Sequence, residues 1–504
     1  VDPSLSIVAV AVLARLIPGP RTIDDAYITF RYARNLLAGH GIVYNPGEWV
    51  FGASTPGFML LLAALGLALG GPSAPFPEIA WLLAALIDGI TCWTLIKIGE
   101  ELGVKPAGMA AALVWSIAPW SVSFAVGGME TSLLVCLCCL TILFFVQKRH
   151  STAAIAGGLA WLTRPDALIL LAPLALDRFR RALPSGRLNR TQEPLRVREV
   201  VLFAGPLALW SAFALWAFGS PLPHSVSAKV VAYNLAPLSG LVRLLQHYST
   251  PFLGHETLGL GWIKVGIVLY PALFILGSAA MIRRRPDSWA FLVYPWLYFG
   301  IFSAFNPLIF RWYLTPPLPM LMFGIFLGLL RLARDFKIER FFPLVVAPAF
   351  VLTLLGWTLH PDHGPDRPAP EMAYIQLELL YQQAAERLEG EIRPSQVLAA
   401  GDIGTLGYYT GARMLDTVGL VSPQSVSYYP LPESMYVINY AVPPALIHEE
   451  QPDFLVILEV YGREGLLKDP EFQREYELID LIPTDMYGSE EGMLIYRRAM
   501  SDKP

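Results

Sequence analysis

The chain has 504 residues, of which 54% are hydrophobic and only 15% charged, with a mean hydropathy of +0.48; an ordinary soluble domain carries about 25% charged residues. This composition excludes a purely soluble globular protein and predicts a polytopic membrane protein with a soluble part. The formal net charge of −4 hides a segregation, with basic clusters between apolar segments and an acidic last quarter, and no nucleic-acid footprint is visible.

A spanning helix needs about 20 mostly apolar residues. That criterion predicts spans near 4–18, 78–98, 106–126, 130–147, 200–218, 261–282, 288–305, 314–332 and 341–359. The chain opens at Val1-Asp2 without an initiator Met or a basic leader, so 4–18 reads as the remnant of a first span or signal anchor whose true start lies upstream. Two further apolar segments, 54–70 and 152–176, are ambiguous, the second being interrupted by Thr163-Arg164-Pro165-Asp166. Cys92, Cys136, Cys138 and Cys139 all fall within apolar segments, so the polar regions have no cysteine for a disulfide or a metal cluster.

Basic residues in short loops orient the spans. Loop 177–199 has seven arginines (Arg178, Arg180, Arg181, Arg187, Arg190, Arg196 and Arg198), 283–285 is Arg-Arg-Arg, and 331–340 holds Arg331, Arg334, Lys337 and Arg340. All three are expected to be cytoplasmic, which sends residues 360–504 outside. If Lys97–Lys105 and Lys148-Arg149-His150 are cytoplasmic too, 54–70 lies in the outer interface and 152–176 forms a hairpin with Arg164 at its outer tip. The rival arrangement, in which both segments cross once, puts Gly127–Thr131 inside. The first keeps more basic residues inside and sets Asp24, Asp25, Glu130 and Arg164 on one side.

Between the first span and the next lies DDAYITFRYARNLLAGHGIVYNPGE (24–48). It reads as an acidic pair opening a short amphipathic interfacial helix, with Ala26, Phe30, Ala33 and Leu37 on one face and Tyr27, Arg31, Arg34 and Asn35 on the other. Two carboxylates at headgroup depth suit general-base chemistry; the plainer reading is that they cap their own helix. Arg31 and Arg34 could meet lipid phosphate. Arg164 beside Asp166 is either an anion site or a local ion pair that stabilises a broken helix. Glu130 follows Gly127-Gly128 at a helix start and is either a second acidic site residue or a dipole partner. His40 and His224, with Asp25 or Glu130, are candidates for a divalent metal, although no spacing has ligand regularity. Trp312 and Tyr313 fit an aromatic belt or a sugar-stacking platform.

Several of these elements together resemble the C-type membrane glycosyltransferases (GT-C fold) that use polyprenyl-phosphate sugars. The run Asp24–Pro56 is most similar to the cell-wall arabinofuranosyltransferase branch, through DDAYI, RY-x-x-N, V-x-N-P-G-E and Gly-x-(Ser/Thr)-(Ser/Thr)-Pro. GGMET (127–131), LTRPDA (162–167), PHSVSAK (223–229) and RWYLTP (311–316) add to it, while PHSVSAK departs from the Pro-Asn-Thr form of that branch. The resemblance implies a GT-C-like membrane domain of about 9–11 transmembrane helices, and an inverting transfer of a sugar, such as an arabinofuranose-like pentose, to an extracytoplasmic glycan, lipid or protein. Asp24 is then the first choice for the base and Asp25 the second. Arg164, Lys229 and Arg311 would bind the donor phosphate, and Glu130, His224, Arg31, Trp312 and Tyr313 would support the site or the acceptor. The partners would be the polyprenyl-phosphate sugar donor, a glycan or glycolipid acceptor and the bilayer of the plasma membrane.

The expected domains are 1–359, membrane-embedded and including a first extracytoplasmic loop 21–55, and 360–504, a small extracytoplasmic α/β domain. The latter opens with a Pro/His/Asp/Gly linker and a helix over 371–389, followed by strands at 396–400, 454–458 and 493–496. Its Gly401-Asp402-Ile403-Gly404 turn before a helix at 405–409 could receive an anion, although such a turn is usually only a turn. The rival functions are a transporter or flippase for a lipid-linked sugar, which would carry ionisable groups at the midplane between repeats, and a scaffold that keeps the fold without activity.

Overall fold

The computed structural model describes residues 2–183, 194–356 and 373–499. The linker at 360–370, the end of the last predicted span, Arg187 and Arg190 lie outside the described residues. The chain divides into two compact units that do not follow its order: Val1–Pro20 with Ala80–Trp210 and Pro237–Pro361, and Arg21–Ile79 with Ser211–Ala236 and Asp362–Pro504. The first loop is therefore grouped with the tail.

The first unit is helical. Among the described residues of the chain, Phe76–Glu101, Val197–Phe218, Leu258–Arg284, Pro286–Phe305 and Arg311–Asp335 are long and apolar enough to cross a membrane, and Lys105–Ile117 with Pro119–Val126 forms a further candidate bent by 50°. The bend has a local cause, since Pro119 cannot donate to the preceding turn. Shorter apolar helices occupy Pro3–Leu16 and Thr131–Val146. The ambiguous segment 152–176 breaks at Arg164 into His150–Thr163 and Leu168–Ala182. Small residues allow close helix approach: a Cβ on Gly277 would lie 2.3 Å from the Gly328 nitrogen, and one on Gly328 would lie 2.0 Å from the Leu273 oxygen. Arg15 and Asp88 are fully buried and paired at 2.8 Å, with Ser132 donating to the same carboxylate oxygen at 3.1 Å. A charge placed among apolar helices persists only when paired in this way.

The second unit joins the Asp24–Leu37 and Pro56–Ala68 helices to a five-stranded sheet. Its strands are β1 (Val397–Ala400), β2 (Arg413–Asp416), β3 (Phe454–Leu458), β4 (Tyr476–Ile482) and β5 (Met493–Arg498), in the order β2-β1-β3-β5-β4. β2, β1 and β3 are parallel, whereas β5 and β4 add antiparallel. Every residue of β3 is buried, as expected for a parallel strand covered on both faces. The Ala373–Arg387 helix presents Leu377, Leu380, Tyr381, Ala384 and Ala385 to the core.

Candidate active site

In the second unit the acidic pair splits into two environments. Asp24 begins the loop helix, yet its side chain makes no cap bond to that helix. Its Oδ2 accepts from the Gly404 N–H at 2.9 Å and its Oδ1 from the Thr405 N–H at 2.7 Å, so it caps the Gly404–Thr410 helix instead. The anion for the Gly401–Gly404 turn thus comes from within the chain. Gly404 is required by close approach, because a Cβ there would lie 1.8 Å from the Asp24 carbonyl oxygen. The Asp24 N–H donates to Glu378 Oε1, and Asp24 is only 5% exposed.

Asp25, one residue on, is only partly buried. Its side chain is 28% accessible, and Lys229 Nζ lies 3.5 Å from its Oδ2. Lys229 is carried by the His224–Ala232 helix, whose first N–H donates to the Phe51 carbonyl. Two residues singled out from sequence, 204 positions apart, therefore meet.

Sequence reasoning did not single out Glu378 or Asp402 as site residues. Burial raises the Asp24 carboxyl to about 6, against the two N–H groups that favour its charged form and with Asp25 adding to the rise. Burial and then Asp24 push Asp402 up to about 7, although Tyr381 donates to it at 2.8 Å. Glu378 is held well above its ordinary range by burial and by Asp24. The available signal was spacing, since Glu378 shares the inward stripe with Tyr381 and Ala385 at i+3 and i+7.

Arg31 is 2% exposed, and all three of its guanidinium nitrogens are engaged. Nε donates to the Tyr44 carbonyl, Nη1 to Gly407, and Nη2 to Ala412 and Asn45 Oδ1, with the guanidinium 4.4 Å over the Tyr44 ring. Arg34 lies over Tyr408 and donates to its carbonyl. Both arginines therefore fasten the loop helix within this unit, and Arg31 leaves no guanidinium nitrogen unengaged for lipid phosphate. The YNPGE run does the same: Asn45 pairs with both backbone groups of Met414 in β2, and Glu48 meets Arg413 at 2.6 Å. His40 is exposed. His224 is half-buried, its Nε2 has no hydrogen-bond partner, and burial lowers its pKa. Among the described residues, no group of three or more His, Cys, Asp or Glu side chains is arranged to hold a metal ion.

The first unit holds the other predicted residues. Arg164 is 3% exposed and bidentate to Asp166 (3.0 and 2.7 Å); it also pairs with Glu130 at 3.3 Å and lies 4.5 Å over Tyr313. Tyr298 donates to Asp166 at 3.0 Å. Glu130 thus spends its carboxylate on Arg164 and makes no cap bond to the helix that follows it. The local ion pair, one of the two readings of Arg164, is the one found. Trp312 is 3% exposed and stacked on Phe310 at 4.6 Å, with Phe124 edge-on, which makes it a core residue and not an open platform. Arg311 is partly exposed and meets no carboxylate among the described residues.

Residues 371–496 match a family described as a Domain of unknown function (DUF8728). A terminal beta-(1->2)-arabinofuranosyltransferase of Mycobacterium tuberculosis is 33% identical over 181 residues, which cover 34% of this chain and 27% of that relative. The chain thus matches about a quarter of the relative's length. ArnT from Cupriavidus metallidurans superimposes with a TM-score of 0.59 at 14% identity, over 98% of this chain and 97% of that one; its structure with undecaprenyl phosphate gives 0.55 at 15%, over 99% and 98%. The oligosaccharyltransferase of Archaeoglobus fulgidus, in a complex with Zn and sulfate, gives 0.51 at 11%, over 94% and 71%.

Proposed function

Because the chain is a multi-pass membrane protein with the fold of the C-type glycosyltransferases, we propose that it moves a sugar from a polyprenyl-phosphate donor to an extracytoplasmic glycan, lipid or protein, with Asp25 as the general base. The observation that carries the assignment is the division of labour in the acidic pair. Asp24 has its carboxylate occupied by two backbone N–H groups, whereas Asp25 remains accessible beside Lys229. Asp25 takes the proton of the acceptor hydroxyl as that oxygen bonds to the anomeric carbon. The bond from that carbon to the phosphate oxygen breaks, and the electron pair leaves with the polyprenyl phosphate. One base without a covalent intermediate gives inversion.

The developing phosphate charge requires cations in a partly water-free site. Arg164 is already neutralised by Asp166 and Glu130. Lys229, which belongs to the same unit as Asp25, is the candidate and also orients Asp25 across 3.5 Å. The relative's name supports a pentofuranose as the sugar, and ArnT bound to undecaprenyl phosphate supports a polyprenyl carrier. The same reading puts the tail outside the cytoplasm.

The test is transfer by purified protein given a panel of short-chain polyprenyl-phosphate sugars and a mixed glycan acceptor, followed by mass spectrometry. Transfer that disappears in Asp25→Asn while the variant melts like the parent supports the base. Undiminished transfer in Asp25→Asn overturns it.

A further inference from the structure

A second polar site lies within the first unit. At the ends of the Thr131–Val146, His150–Thr163, Leu168–Ala182 and Val197–Phe218 helices is a cleft of about 450 Å³. Among the described residues, five Lys or Arg (Lys148, Arg149, Arg178, Arg196 and Arg198) line it against one carboxylate, Glu199. Glu199 is committed to Arg178 at 3.0 Å, and Lys148 meets Asp287 at 3.1 Å. Arg198 is held over the cleft by Ser151 at 2.8 Å.

The cleft adjoins an apolar groove of about 280 Å³, and His150, Arg178 and Glu199 line both. Phe145, Ala154, Gly157, Leu171, Leu174 and Phe203 line the groove. At its rim the apolar side chains of Phe179, Leu195 and Val200 are 52%, 42% and 50% exposed. A basic cleft alone would suit any anion. A basic cleft at the headgroup end of an apolar groove suits an anion with a hydrocarbon tail.

We infer that this paired cleft and groove binds an anionic phospholipid, its phosphate among Arg149, Arg196 and Arg198 and one acyl chain along Ala154 and Leu174. A soluble acidic protein would use the charges but not the groove. This inference rests on the membrane character of the chain and not on the proposed transfer, so either can fail alone.

The experiment is native mass spectrometry of the full chain released from micelles doped equally with phosphatidylglycerol and phosphatidylcholine. Phosphatidylglycerol is expected to be retained preferentially, and the preference should fall about fivefold for each of Arg196→Ser and Arg198→Ser. Ala154→Trp, which fills the groove and leaves the charges, should also release the lipid, while soluble glycerol phosphate should not displace it from the parent. Thermal melting of each variant confirms folding. Equal retention of the two lipids, or a preference that survives both the charge and the groove variants, would overturn the site. Binding of an acidic protein that Ala154→Trp leaves intact, with no phospholipid preference, would reassign the cleft to a soluble partner.

Discussion

A carboxylate that accepts two buried N–H groups and a neighbour that faces a lysine across 3.5 Å respond differently to the same substitution. Asp24→Ala strands the Gly404 and Thr405 N–H groups and should cost about 1–3 kcal/mol of stability, read as a lowered melting temperature. Asp25→Asn should leave melting unchanged and cut transfer by about 10²–10⁴-fold. The buried acids also set a pH dependence. Asp24, Asp416 and Asp402 are raised to about 6, 6 and 7 by burial, and burial also holds Glu378 well above its ordinary range. Each folded value lies above the unfolded one, so the folded state holds more protons between about pH 4 and 7. Stability from these groups is therefore fully present at the acid end and is lost as pH rises through that window. Thermal melts of the purified protein should fall from pH 5 to pH 8, and Glu378→Gln should flatten the slope.

At the scale of elements, the loop helix and its following run act as a latch within the second unit. The helix is amphipathic as its periodicity predicts, yet its polar side is also covered: Tyr27, Arg31 and Asn35 are all buried. Gly404→Val would drive a side chain into the Asp24 backbone and should cost about 1–3 kcal/mol, seen as faster proteolysis of the tail at fixed melting of the membrane helices. Among the strands, β1, β3 and β5 are legible as short apolar runs, whereas β2 is four residues with a charged residue at each end. β4 escaped because it is an edge strand with an irregularity between Leu478 and Asp480, which breaks the alternation that marks a half-buried strand.

For the whole molecule, the segment 54–70 decides the parity of the spans. It forms a helix of 13 residues, Pro56–Ala68, about 20 Å long at 1.5 Å per residue and short of a hydrocarbon core of about 30 Å. Both ends of this helix are then expected on one side of the membrane. His40→Cys and Ser73→Cys, both exposed positions, should label together with an impermeant thiol reagent, against a background of four buried native cysteines. Labelling of one from outside and the other only after permeabilisation would make the segment a span.

By itself the sequence determined the membrane class, the helical segments, the α/β character of the tail and the residues worth inspecting, because hydropathy, breaker residues and basic loops act locally along the chain. Only the tertiary structure decided which carboxylate is engaged and which is open, that Arg31 holds carbonyls, that Arg164 sits between two acids, and that Trp312 is core. These outcomes depend on partners tens to hundreds of positions away, among them Gly404, Glu378, Ala412 and Phe124. Burial and hydrogen-bond satisfaction are properties of the packed chain, and no local pattern encodes them.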